Sequence, residues 1–283
     1  MIPGKRLSVN KTCNALQISK SGFYYWQNKI PKEDNNKKII KEIHRIALEF
    51  PFYGYRRVTV ELRNRNKPAN HKKVLKMMRE EELICRRKKR FKPVTTQSDH
   101  NLKVYLNLAK NLNVTGLNQL WLADITYINL GAGFVYLAAI IDLFSRKCIG
   151  WSLSRYIDTQ LTLDALNMAI AGRRKFDLSK LVHHSDRGVQ YAAENYIKRL
   201  LEIGAQISMS RKGNPYDNAW MESFMKTLKV EEVYINEYET IFDVHKNIKQ
   251  FIEKVYNKKR LHSSIGYTSP DKFEREVLNN IVN

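Results

Sequence analysis

Three acidic residues stand in contexts suited to holding hard cations. They are Asp124 in Trp121-Leu122-Ala123-Asp124-Ile125-Thr126-Tyr127, Asp186 in His183-His184-Ser185-Asp186-Arg187-Gly188, and Glu222 in Asn218-Ala219-Trp220-Met221-Glu222-Ser223-Phe224. Thirty-five residues separate the last two. Carboxylates from distant segments can share a pair of divalent cations, and such two-metal sites carry out in-line displacements at phosphodiesters. After Glu222, Lys226 and Lys229 follow at i+4 and i+7 on the same helical face, opposite an apolar stripe of Met221, Phe224, Met225 and Leu228. Lys229, two turns on, is placed to grip a phosphate beside the site. Lys226 fits better as an ordinary i,i+4 partner of Glu222.

The elements that must position these carboxylates are readable. Gln119–Asn129 alternates apolar and polar residues as a half-buried strand does, Gly131-Ala132-Gly133 supplies a turn, and Phe134–Ile141 is a second strand. Cys148–Ser154 reads as a third strand, Asp158–Arg173 as an amphipathic helix and Leu181–His184 as a short strand. Ala192–Ile203 reads as a helix closed by Gly204, Gln206–Met209 as a strand and Ser210–Tyr216 as a Gly/Pro loop. Two long helices follow, over Asn218–Val233 and Thr240–Tyr256. Three antiparallel strands, then helix, strand, helix, strand, helix, is the element order of an α/β ribonuclease-H-like fold. It puts Asp124 on the first strand, Asp186 just past the fourth, and Glu222 in the first turns of a helix. Asp142 ends the second strand and is assigned a structural role. The pair His183-His184 lacks a third ligand nearby, so zinc is not expected; one histidine is expected to be packed and the other to lie close to the acidic site.

Ahead of this domain the sequence is helical. Residues 7–28 outline two short helices joined at Ile18-Ser19-Lys20-Ser21, with Ser19 or Ser21 as N-cap of the second. Leu7, Cys13, Leu16 and Ile18 are expected to pack on Phe23, Tyr24 and Trp26. This is a helix-turn-helix outline or a plain helical hairpin. A second unit follows: a helix with Ile39, Ile40, Ile43, Ile46 and Ala47 at helical spacing, another over about Arg56–Arg65, and a third carrying Val74, Leu75, Met77, Met78 and Leu83. The run Arg86-Arg87-Lys88-Lys89-Arg90 is either a solvated hinge or a linker that tracks a DNA backbone. The expected division is therefore 1–30, a helix-turn-helix-like segment; 31–85, a small helical DNA-binding unit; 86–118, a basic linker; 119–235, the catalytic core; and 236–283, a C-terminal helix and tail completing that core.

The charge is lopsided. The chain of 283 residues carries +21. Residues 1–118 hold 27 Lys and Arg against 9 Asp and Glu, a net +18; residues 119–283 hold 22 against 19, a net +3. A cationic front before a balanced domain attracts a polyanion, and DNA is the expected phosphodiester. Cys13, Cys85 and Cys148 form no CxxC, which excludes a disulfide framework or zinc ribbon. No signal peptide is visible at Met1–Arg6, and the apolar stretch Phe134–Phe144 is too short to span a bilayer and is broken by Asp142. A soluble, cytoplasmic, nucleoid-associated protein is expected.

Over nearly its whole length the chain resembles the second-frame (OrfB) product of the bacterial insertion-sequence-three family of transposases. The motifs that carry the resemblance include Tyr53-Gly54-Tyr55-Arg56-Arg57-Val58, the segment around Asp124, Ile141-Asp142-Leu143-Phe144-Ser145-Arg146 and His184-Ser185-Asp186-Arg187-Gly188. They continue with Ser210-Arg211-Lys212-Gly213-Asn214-Pro215-Tyr216-Asp217-Asn218-Ala219, Tyr256-Asn257, Arg260-Leu261-His262-Ser263-Ser264-Ile265-Gly266-Tyr267 and Thr268-Ser269-Pro270. The resemblance implies an integrase-type core with Asp124, Asp186 and Glu222 as its DDE triad and Lys229 as the basic residue that follows it. It also implies Mg²⁺ (or Mn²⁺), and strand cleavage and transfer at the terminal inverted repeats of an insertion sequence. Arg56, Arg57, Arg211 and Lys212, inside these motifs, join the basic run and Lys229 as candidate DNA contacts. The implied partners are DNA, further copies of the chain assembled on DNA ends, and the upstream-frame (OrfA) product or its frameshift fusion. That upstream frame usually adds a helix-turn-helix and a leucine zipper. No heptad run is found here, so the catalytic core is expected to be intact but poor at finding or pairing ends unaided. Cys13, His44, His71 and Cys85 lack the zinc-ligand spacing of the His/Cys module of retroviral integrases. Two rival readings are a DNA-binding regulator with an inactive core and a structure-selective nuclease of the same fold. The intact triad opposes the first; the motifs at Ser210–Tyr216 and Arg260–Tyr267 oppose the second.

Overall fold

The structure, a computed structural model, describes residues 8–27, 32–85, 102–131, 133–211 and 214–282. The chain divides into two compact units, Met1–Arg87 and Lys88–Asn283. Arg86, Arg87, Lys88, Lys89, Arg90 and Lys212, all candidate DNA contacts, lie outside the described residues, as does Leu7.

In the first unit, α1 (Val9–Ala15) and α2 (Lys20–Gln27) are short. Ser19 caps α2, its Oγ accepting the Gly22 amide at 3.0 Å. The expected packing between them forms only in part, with Phe23 half-buried. Cys13 is buried, but Leu16, Ile18, Tyr24 and Trp26 are exposed, Trp26 by 77%. Helices of two turns have too little face to cover such side chains. The next three helices do build a core: α3 (Lys32–Glu49), α4 (Tyr55–Asn64) and α5 (His71–Glu80). Ile39, Ile43, Ile46, Val58, Leu62, Val74, Met77 and Met78 are buried, as their 3.6-residue spacing requires. Asn70 caps α5 by accepting the Lys72 amide at 2.8 Å. Arg65 clamps α3 to α4, donating to Glu42 at 3.2 Å, Glu49 at 2.7 Å and Glu61 at 2.9 Å. Lys67 also reaches Glu42 at 2.8 Å, and this hydrogen bond, ahead of Arg65, holds the Glu42 carboxyl below its ordinary range despite burial.

The second unit is built on a five-stranded sheet of order β3-β2-β1-β4-β5, with β1 (Leu120–Leu130), β2 (Gly133–Asp142), β3 (Cys148–Ser154), β4 (Val182–Ser185) and β5 (Gln206–Met209). β1, β2 and β3 form an antiparallel meander, whereas β1, β4 and β5 run parallel. The parallel pairs need crossovers. α6 (Thr159–Arg173) provides the first, and α7 (Val189–Ala192) with α8 (Glu194–Glu202) provides the second. α9 (Ala219–Glu231), α10 (Ile241–Gln250) and α11 (Pro270–Val282) follow.

Strand periodicity separates two cores, one on each face of the sheet. Leu122, Ile128 and Leu130 pack with Met221, Phe224, Met225 and Leu228 of α9 and with Val244 and Ile248 of α10. Trp121 and Ala123 face the other way, toward Leu161, Ala165 and Leu166 of α6 and Tyr196 and Leu200 of α8. α6 comes so close to β3 that a Cβ at Gly150 would stand 2.2 Å from the Ala165 carbonyl oxygen, which restricts that position to glycine. The architecture is the expected α/β integrase-type core.

The expected elements are present with shifted bounds, and three details differ. The helix expected over Ala192–Ile203 is α8, which starts at Glu194, and a separate short helix, α7, precedes it across the extended Ala193. The helix expected to reach Tyr256 is α-helical only to Gln250 and continues as a π-helical stretch over Phe251–Tyr256. The C-terminal segment holds α11, whose Glu274 is buried beside Arg173. The cysteines are free, and among the described residues no helix is long and apolar enough to cross a membrane.

Candidate active site

Register brings two of the three carboxylates together. β1 and β4 pair in parallel with Leu122 beside His184. Two residues further along each chain are Asp124 and Asp186, level with one another and on the same face by strand alternation. The ladder between β1 and β4 ends at Leu122 and His184, and just beyond it a cleft opens, lined by Asp124, Thr126, Tyr127, Asp186, Gly188 and Gln190 among others. Asp124 sits opposite Ala139 of β2, a side chain too small to cover it.

Each carboxylate is oriented by the backbone. Asp124 Oδ1 accepts the Ile125 amide at 2.9 Å, and Asp186 Oδ1 accepts the Gly188 amide at 2.9 Å. A Cβ at Gly188 would meet Asp186 Oδ1 at 3.1 Å, so the glycine leaves room for the carboxylate. Arg187 Nε donates to the Ser210 carbonyl at 2.7 Å and ties this turn to the end of β5.

Glu222 is exposed, in the first turn of α9. It does not line the cleft, but its charge is felt at Asp124. The start of α9 is fastened there by Asn218, whose Nδ2 donates to the Ala123 carbonyl at 3.2 Å, next door to Asp124. Lys229 is half-buried with Nζ 4.1 Å from the centre of the Tyr127 ring, a cation–π contact, and its charge also reaches Asp124. Lys226 is exposed and, among the described residues, forms no ion pair with Glu222.

The electrostatics are those of an over-charged acidic site. Burial, then the charge of Asp186 and more weakly that of Glu222, pushes the Asp124 carboxyl up to about 8, against which the Ile125 amide and Lys229 act only in part. Among the described residues no group of three His, Cys, Asp or Glu side chains is gathered tightly enough to hold a metal ion as it stands. The donor set nevertheless fits a hard cation. Asp124 and Asp186 offer oxygen ligands, the charge of Asp186 bears on Asp124 with only partial relief from Lys229, and the exposed Glu222 side chain can turn toward them.

The other candidates are placed as follows. Both histidines are packed, His183 away from the acidic residues and His184 two residues before Asp186. His183 Nε2 meets the Tyr196 hydroxyl at 3.0 Å, and His184 lies between Ser208 Oγ at 2.8 Å and Ser210 Oγ at 3.0 Å. Burial lowers them to about 3 and about 4, so both are neutral. Asp142 is fully buried and structural, accepting the amides of Asn118 at 2.7 Å and Ser145 at 3.0 Å. Arg211 pairs with Asp217 inside its own loop, Nε and Nη2 each at 3.1 Å. In the first unit, Arg56 and Arg57 lie against the Tyr55 and Tyr53 rings, at 5.7 and 5.6 Å. Asn218 and Tyr127 had not been singled out as site residues, although both fall inside the quoted motifs.

Comparison with known proteins agrees with this architecture. The integrase core domain family matches residues 115–215, a second integrase core domain family matches 203–270, and an HTH-like domain family matches 32–91. The HTH-like match therefore covers the helical unit α3–α5 rather than α1 and α2. The chain is 36% identical over 277 residues to transposase InsF for insertion sequence IS3A of Escherichia coli (strain K12), covering 96% of this chain and 95% of the relative. It is 36% identical over 270 residues to the insertion element IS600 uncharacterized 31 kDa protein of Shigella sonnei, covering 93% and 97%. The catalytic core domain of BIV integrase superposes with a TM-score of 0.43 at 18% identity, over 59% of this chain and 99% of that one. With a relative this similar over almost its full length, the chain belongs to the IS3 family of insertion-sequence transposases, with an integrase-type core.

Proposed function

We propose that the chain cuts and joins DNA at the terminal inverted repeats of its element, by Mg²⁺-dependent phosphodiester hydrolysis and transesterification, with Mn²⁺ as a substitute. The observation that carries the reading is that Asp124 and Asp186 line one cleft, where burial and the charge of Asp186 raise the Asp124 carboxyl by more than Lys229 lowers it. Asp124, Asp186 and Glu222 would hold the cations, the first two from paired strands and the third by a side-chain rotation on α9. When bound, the cations supply Lewis-acid stabilisation of the attacking and leaving oxygens.

The chain's own residues position the reaction. The β1–β4 register fixes the spacing of the two aspartates. Asn218 sets the height of α9, and so of Glu222 and Lys229, against β1. Lys229, held over Tyr127, is the phosphate-side cation. In the first step a water oxygen bonds to phosphorus as the P–O3′ bond breaks, freeing a 3′-OH. In the second, that hydroxyl oxygen bonds to phosphorus in the target while one P–O bond there breaks, so the number of phosphodiesters is unchanged.

The partners in this reading are end and target DNA, copies of the chain assembled on ends, and the upstream-frame product or its fusion. The cytoplasm and nucleoid are the corresponding location. The test is a strand-transfer assay on labelled end DNA with Mg²⁺, with and without the upstream-frame fusion. Joined product that requires Mg²⁺ or Mn²⁺ supports the reading. Binding without cleavage in both formats would leave a regulator, and cleavage without joining a nuclease.

A further inference from the structure

Tyr191 carries a buried hydroxyl that the fold does not use. The residue is 2% exposed, and its ring packs edge-to-face on Tyr196 with centroids 5.3 Å apart. Tyr196 commits its own hydroxyl to His183, but the Tyr191 hydroxyl is buried with no hydrogen-bond partner among the described residues. Leaving such a group unpaired is unfavourable, and phenylalanine would fill the same space without that penalty.

Its location supplies the reason. Tyr191 is on α7, the turn of helix directly after Asp186, and its neighbours Gly188, Val189 and Gln190 line the cleft that holds both aspartates. Burial first, then Tyr196, then Asp124 and Asp186 push the phenol far above its ordinary range, so the hydroxyl stays protonated. A protonated phenol that feels the charge of two carboxylates is suited to act toward them as a neutral hydrogen-bond donor.

We propose that Tyr191 is a positioning residue of the acidic site, its hydroxyl donating to an Asp124 or Asp186 carboxylate when a divalent cation draws that carboxylate into place. The inference rests on the reading of Asp124 and Asp186 as metal ligands. It assigns the orphaned hydroxyl to the outer shell of that site, where a donor fixes a ligand's orientation.

The test is Tyr191→Phe in the full chain, which keeps the ring against Tyr196. Mn²⁺ binding is followed by electron paramagnetic resonance, thermal unfolding is measured in EDTA, and strand transfer is titrated with Mg²⁺. Mn²⁺ affinity is expected to fall about 10–100-fold. The Tm in EDTA is expected to hold or rise, since the variant loses an unpaired polar atom. The half-saturating Mg²⁺ concentration should rise by more than the maximal rate falls. Unchanged Mn²⁺ affinity in Tyr191→Phe, with affinity lost in Asp124→Asn, would overturn this inference alone. No saturable Mn²⁺ binding by the wild type, or binding unaltered in Asp124→Asn, would remove the metal-site reading and this inference with it. A lower Tm in EDTA would show that the hydroxyl already has a structural partner, which also overturns it.

Discussion

Two carboxylate clusters share this sheet, and they are resolved in opposite ways. Asp142 sits across from Trp121 on β2, three residues along β1 from Asp124. Around it, burial still raises the Asp142 carboxyl, but hydrogen bonds and cations meet much of the negative charge. Asp142 accepts two backbone amides, Ser145 Oγ donates to Glu274 at 2.8 Å, and Glu274 is gripped by Arg173 and by Lys147 at 3.1 Å. Burial would raise the Glu274 carboxyl, but Arg173 and Lys147 bring it below its ordinary range. At Asp124 the same cost of burial is met by one amide and a more distant lysine, while two further carboxylates add to it. The cluster around Glu274 is met by cations and holds the fold together; at Asp124 the balance is left in favour of the protonated form, which is what the proposed cation site would reverse.

The sharpest way to break the comparison is to neutralise each cluster in turn. Asp124→Asn, Asp186→Asn or Glu222→Gln should each abolish cleavage and joining while end binding, followed by gel shift, persists. The losses should be non-additive, because one missing ligand already disables the site. Near-normal cleavage by any of the three would remove that residue from the site. Glu274→Ala acts on the other cluster and should do the reverse. It leaves Arg173 buried without its counter-ion, which costs about 3–5 kcal/mol. Denaturant unfolding should show that loss, and activity per folded molecule should survive at low temperature. A Glu274 variant as stable as wild type would mean that the network contributes little to the fold.

A smaller effect sharpens the role of α9. Lys229→Ala should lower strand transfer by about tenfold, on the order of 1.4 kcal/mol, with little change in DNA affinity, since one contact among many phosphate contacts matters for alignment rather than binding. Lys229→Arg should keep part of the activity. Lys226→Ala, which changes an exposed side chain outside the cleft, should be mild. Equal losses at both lysines would point to a diffuse basic surface instead.

How much of this was legible depended on whether the signal was local. Alternation in Trp121–Tyr127 and the apolar spacing in α3 and α9 are local, so the strands, helices and carboxylate positions could be read directly. The break at Ala193 could not, because Ala192-Ala193-Glu194 carries no Gly or Pro and is a good helix sequence. Tertiary packing of α7 beside the cleft decides it. The Glu274 network was equally hidden, since its partners Ser145, Lys147 and Arg173 are more than 100 residues away in sequence. The mistake at α1 and α2 was of another kind. Apolar residues at plausible spacing were taken to pack, but the helices are too short to cover them. The partners of His184 were hidden because Ser208 and Ser210 come from the neighbouring strand and the loop after it.

The mildest test is one of slope. In EDTA the Asp124 carboxyl has a folded value of about 8 against an ordinary 3.8. Between those values the folded protein binds more protons than the unfolded chain, so stability is fully present below about pH 4 and declines as pH rises toward 8. Asp142, also raised by burial, adds to the decline, and Glu274, lowered by Arg173, opposes it. The total slope therefore mixes the two clusters, and the difference between wild type and Asp124→Asn isolates the cleft. Thermal unfolding in EDTA across pH 5 to 8 should show Tm falling more steeply for wild type than for Asp124→Asn. Adding Mg²⁺ should raise the wild-type Tm most at the alkaline end, where Asp124 is ionised, and leave the variant nearly unmoved. Parallel Tm profiles for the two proteins would mean that Asp124 is as well compensated as the buried cluster, and the contrast between the two would be lost.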